Sequence, residues 1–106
     1  MAKYLLQVSY TTEGVQGVLK EGGSSRKAMV EDLIGSLGGS LEAFYFAFGD
    51  DDVVTIVDLP SNVTAAAVSM AVGAAGAAGV STTVLLTPEE IDQAAQTSVS
   101  YRPPGA

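Results

Sequence analysis

An α+β domain of order βαββαβ, built on a four-stranded antiparallel sheet, is what this sequence predicts. Four runs rich in β-branched and aromatic residues, Lys3–Tyr10, Leu41–Phe48, Val53–Leu59 and Val80–Thr87, carry the period-two alternation of strands. Two stretches at helical spacing separate the first run from the second and the third from the fourth. The short Gly49–Asp52 link makes the middle two runs a hairpin.

Each element has local reasons. In Lys3–Tyr10, Tyr4, Leu6, Val8 and Tyr10 fall on one face, and Lys3, Leu5, Gln7 and Ser9 on the other. Thr11-Thr12 ahead of Glu13 is an N-cap with an acid in the first turn, opening a helix to Glu21 whose Val15, Val18 and Leu19 form a stripe. Gly22-Gly23 interrupts it, because glycine costs about 1 kcal/mol inside a helix. Ser24 or Ser25 recaps a second segment carrying Ala28, Met29, Leu33 and Leu37, which Gly38-Gly39 closes. In Leu41–Phe48, Phe44, Phe46 and Phe48 oppose Ala43, Tyr45 and Ala47. Pro60 ends Val53–Leu59, and Ser61 or Asn62 caps a helix expected to run to Ala78. Thr87-Pro88-Glu89-Glu90 is a capping box with proline at the first helical position, so a short helix follows to about Gln96. Residues 1–97 are expected to be the single domain, and 98–106, with Pro103-Pro104, an extended or mobile tail.

This order is the ferredoxin-like split βαβ arrangement. Both crossovers are helical, so both lie on one face of the sheet and the other face is left open. Tyr4, Leu6, Val8, Phe44, Phe46, Phe48, Val54, Ile56, Val84 and Leu86 are expected under the helices. Leu5, Gln7, Ser9, Ala43, Tyr45, Ala47, Val53, Thr55, Val57, Ser81, Thr83 and Leu85 are expected on the open face, and a slip of one residue would exchange the two sets on any strand.

Composition narrows the function. Of 106 residues 47% are hydrophobic and only 16% charged, more apolar surface than a small monomer hides easily, which favours a homo-oligomer joined through the open face. A net charge of −7 argues against nucleic acid or an anionic membrane as partner. Histidine, cysteine and tryptophan are absent, which excludes histidine general bases, thiol chemistry, disulfides and Cys/His zinc sites, and no cofactor is expected. No segment has the ~20 apolar residues of a membrane span. The opening Met1–Leu6 is too short and polar for an export signal, so a cytoplasmic location is expected.

Asp50-Asp51-Asp52 lacks the alternating ligands, central glycine and distant glutamate of a calcium loop, so it reads as a solvated turn and no metal site is expected. The Ala65–Gly79 stretch reads as a helix packed closely on the sheet or a neighbour. Glu21–Lys27 sets Arg26 and Lys27 beside a helix start, either as surface charges or as the holder of an anion. Gln7, Tyr45, Thr55 and Thr83 are the polar candidates of the open face. They suit the orientation of a small apolar ligand or hydrogen bonds across a subunit interface.

The turn also carries a family resemblance. Lys3-Tyr4-Leu5, Tyr10-Thr11-Thr12-Glu13-Gly14, Leu37-Gly38-Gly39, Phe48-Gly49-Asp50-Asp51-Asp52-Val53-Val54, Asp58-Leu59-Pro60 and Leu86-Thr87-Pro88-Glu89-Glu90 together resemble the bacterial GYD domain proteins. In the name-giving Gly-x-Tyr-Asp pattern the glycine falls on Gly49 and the aspartate on Asp52, while Asp51 stands at the tyrosine position, so any role of that tyrosine is lost. The resemblance implies the dimeric α/β-barrel form of the ferredoxin-like fold and implies no particular activity. A similar turn occurs in the effector-binding domains of leucine-responsive regulators, which bind amino acids between subunits.

Three readings follow. The first is a homo-oligomeric binding or structural module, enclosing a small apolar molecule. The second is a cofactor-independent enzyme like the monooxygenases and isomerases of the dimeric α/β-barrel group, in which Glu42 or Asp58 serves as base and Tyr45 assists. The third is an effector-binding regulatory subunit, which would need a partner for its output.

Overall fold

The computed structural model describes all residues, Met1–Ala106. Its elements are β1 (Ala2–Tyr10), α1 (Thr12–Glu21), α2 (Gly23–Ser36), β2 (Ser40–Phe46), β3 (Val53–Leu59), α3 (Asn62–Ala75), β4 (Ala78–Leu85) and α4 (Pro88–Gln96). The sheet is antiparallel in the order β2-β3-β1-β4, the ferredoxin-like arrangement, with the first crossover divided into two helices at Gly22. Three capping signals act as expected, whereas Ser24 and Ser25 do not recap α2: the chain turns at Gly22, φ 87°, and the helix starts at Gly23 with no side-chain cap. Thr11, Ser61 and Thr87 each accept a backbone N–H at the start of a helix, and Thr87 and Glu90 close the reciprocal box.

One face of the sheet meets the helices. Tyr4, Leu6, Ile34, Val57, Leu59 and Ala65 form the core cluster, and the Tyr4 hydroxyl donates to Asn62 Oδ1 at 2.6 Å. Helix α2 lies on β2 and α3 on β4. Only 10 of 106 residues are buried, so this core is small for the apolar content of the chain.

Three further expectations change. The face of β3 is reversed. Val53, Thr55 and Val57 pair with Val8, Leu6 and Tyr4 and are buried beneath the helices, whereas Val54 and Ile56 lie on the open face. Both sets are β-branched and offer no contrast in hydrophobicity, and Thr55 goes inside because its hydroxyl donates to the Ala43 carbonyl at 2.6 Å. That carbonyl sits at a bulge between Leu41 and Ala43, where the ladder is interrupted. The hairpin turn is also longer than Gly49–Asp52, because β2 stops at Phe46. Phe48 leaves the strand with φ 55° and its ring stacks on Phe46 at 5.8 Å. Finally, α3 ends at Ala75 because Gly76 takes the left-handed conformation, so β4 begins at Ala78 and ends at Leu85.

Every residue from Pro88 to Ala106 is exposed. Helix α4 and the segment after it project from the body, and the radius of gyration is 17.0 Å, against about 13 Å for a compact chain of this length.

Candidate functional site

The open face is a flat array whose rows are fixed by strand register. Tyr45, Val54, Gln7 and Ser81 form one row across the four strands, and Ala43, Ile56, Leu5 and Thr83 the next. Gln7, Tyr45 and Thr83 thus share the face, as their alternation requires, whereas Thr55 faces the helices. They do not converge. Tyr45 and Gln7 are two strands apart, roughly 10 Å at the usual strand spacing, and Thr83 lies on the far edge strand. The Tyr45 side chain is 70% exposed. The hollows of the chain lie on the helical side, so this face offers a surface rather than a cup.

Its two ends are polar and organised. At one end Lys3 Nζ donates to both Asp58 oxygens, at 3.0 and 3.2 Å, and stands 3.4 Å from Glu42 Oε2. Ser40 also donates to Asp58, at 3.3 Å. The hydrogen bond to Asp58 foremost, with the charges of Asp58 and Glu42, holds the Lys3 ammonium above its ordinary value. At the other end Asp51 folds back from the hairpin, accepting from Gln7 Nε2 at 3.1 Å and from Ser9 Oγ at 3.2 Å. Its neighbour Asp52 accepts the Tyr10 N–H at 2.7 Å and donates its own N–H to the Val8 carbonyl at 2.8 Å. Two of the three consecutive aspartates therefore fasten the turn to β1 rather than pointing into solvent.

Sequence reasoning missed Asp51 as the shared acceptor of Gln7 and Ser9. The available signal was Gln7 and Ser9 at alternate positions of an otherwise apolar strand, two donors in need of one acceptor. Between the two polar ends the middle of the face is Leu5, Ala43, Val54, Ile56 and Leu85, all only half-buried. No group of three or more acidic side chains is placed to hold a metal ion, and no helix is long and apolar enough to cross a membrane. The arrangement presents an apolar centre with charged and hydrogen-bonded ends, suited to being covered by another surface.

No curated protein and no solved structure matches the chain significantly. The GYD domain profile matches residues 4–95, which takes in most of β1, the other three strands, the three helices between them and nearly all of α4. This chain belongs to the GYD domain family.

Proposed function

We propose that this GYD domain protein is a homo-oligomeric module that assembles through the open face of its sheet, in the dimeric α/β-barrel manner, and holds a small molecule. The observation that carries this reading is the uncovered apolar centre of Leu5, Val54 and Ile56 between the Lys3–Asp58 and Gln7–Asp51 ends. An isologous contact would set the apolar rows of two copies together and leave the charged ends at the rim. The arm from Leu86 onward supplies a second contact. Ile91, Val99 and Tyr101 are all exposed on it, and a nine-residue helix is marginal in water without a surface to lie on. Binding is favoured over catalysis because the carboxylates that would act as base, Asp58 and Glu42, are both engaged by Lys3. The setting proposed is the bacterial cytoplasm.

Light scattering coupled to gel filtration tests this reading. An even-numbered assembly is expected at micromolar concentration, with Ile56→Asp shifting it to monomer while the far-UV dichroism is retained. A wild-type chain that stays monomeric at that concentration overturns the proposal.

A further inference from the structure

Helices α2 and α3 rest on opposite halves of the sheet and scarcely meet. Between them lies a cleft of about 90 Å³, floored by Leu6, Val8 and Val53 and walled by Met29 and Leu33 of α2 and Val72 of α3. Twelve of its 14 lining residues are hydrophobic, the other two being Arg26 and Thr55. The Thr55 hydroxyl proton is already committed to the Ala43 carbonyl. Arg26 is different. It is half-buried, it is the one basic residue among those lining the cleft, and no carboxylate lies within ion-pairing distance of it.

The placement of Arg26 gives the cleft a direction. Arg26 and Tyr10 line both this cleft and the adjoining hollow beside α1, so they stand where the apolar interior opens outward. Glu13 and Glu21 line that outer hollow without reaching the guanidinium. A partly desolvated guanidinium with no partner is costly, and a carboxylate relieves that cost with two parallel hydrogen bonds. Apolar groups below and a single cation at the rim match a molecule with one anionic end and an apolar body. The volume is that of about three waters, at ~30 Å³ each in the liquid, and its walls offer water almost no polar partner. That is less than a whole aromatic acid occupies, so a single ring or a short branched chain would seat only its apolar edge in the cleft and leave its carboxylate at the open rim beside Arg26. A polyphosphate does not, given one cation and a net charge of −7.

We propose that the cleft between α2 and α3 is a binding site for a small amphipathic carboxylate, a single-ring aromatic or short branched-chain acid. The apolar body lies against Leu6, Val8 and Val53, and the carboxylate on the Arg26 guanidinium. The site is on the helical side of the sheet, so it stands whether or not the open face is covered by a second copy.

The test is an amide NMR titration of the whole chain with benzoate and with 3-methylbutanoate, each against its neutral amide. Saturable shifts are expected at Leu6, Val8, Met29 and Val72, with each acid binding about tenfold or more tightly than its amide. Arg26→Gln should remove that preference and leave amide binding unchanged. Lys27→Gln, which alters a cation lining a neighbouring hollow that shares only Phe44 with the cleft, should leave both unchanged. Equal affinity for acid and amide overturns the proposal. So does an Arg26→Gln chain that keeps the preference, a set of shifts confined to Gln7, Tyr45 and Thr83, or no saturable binding of either acid at millimolar concentration.

Discussion

Replacing Thr55 with valine isolates one hydroxyl. The two side chains have the same shape and β-branching, so strand propensity and packing volume are held nearly constant at a position only 2% exposed. What is lost is the 2.6 Å hydrogen bond to the Ala43 carbonyl beside the β2 bulge. Leaving a buried carbonyl without a donor costs about 1–3 kcal/mol, and burying the extra methyl returns roughly 0.8 kcal/mol. The net expectation is a loss of about 1 kcal/mol, a fall in Tm of roughly 4–8 °C for a domain near this size. Urea denaturation followed by far-UV dichroism, at one fixed protein concentration because assembly adds to apparent stability, reads this directly as a lower midpoint at unchanged slope. A Thr55→Val chain as stable as wild type, or more so, would refute the reasoning and mean that the bulge carbonyl finds its donor elsewhere.

Other expectations follow from single contacts. Gly14→Ala would place a methyl against the Ala77 carbonyl oxygen and should destabilise by about 1–3 kcal/mol. Gly17→Ala, in open space on the same helix, should stabilise by up to about 1 kcal/mol, and thermal melts of the pair read the difference. Because Asp58 and Glu42 raise Lys3 above its ordinary 10.5, its contribution to stability is full below that pH and is lost as pH climbs through the raised value. Lys3→Met should flatten the alkaline limb of the stability curve, and parallel curves for variant and wild type would count against the ion pair. Deleting Leu86–Ala106 should leave the sheet signal intact but raise the dissociation constant of the assembly at least about tenfold, since Leu86, Ile91, Val99 and Tyr101 are exposed on the arm. An unchanged mass profile on dilution would show that the arm has no neighbour.

How much was legible depended on contrast within each element. On β1 the two faces differ in kind, with Tyr4, Leu6 and Val8 opposing Lys3, Gln7 and Ser9, and alternation gives the right phase; on β4 it places Ser81 and Thr83 correctly, but Leu86, expected beneath the helices, lies beyond the strand end and is exposed. On β3 every candidate inward residue is matched by a neighbour just as suited to a sheet. The phase is then set by the length of the turn and by where one hydroxyl finds an acceptor, and neither is written in the pattern. Through Gly73–Gly79 three glycines stand at equal spacing, and only the left-handed backbone conformation of Gly76 marks which of them ends the helix. The cleft could not be read at all, because it is the gap between two helices that each follow a different strand. Arg26 and Lys27 are adjacent in sequence, yet one helical step sends them to different hollows.

Helix α4 has a consequence for how the protein responds to concentration. Ile91, Ala94 and Ala95 make a single stripe, the capping box closes its first turn, and none of its nine residues is buried. A helix of that length owes its persistence to whatever lies along the stripe. Dilution should therefore unravel α4 well before the sheet loosens, and proteases should cut first near Gln96, quickly in a dilute sample and slowly in a concentrated one. Under the proposed assembly the arm would then act as a gauge of crowding by its own kind, folded in company and frayed alone.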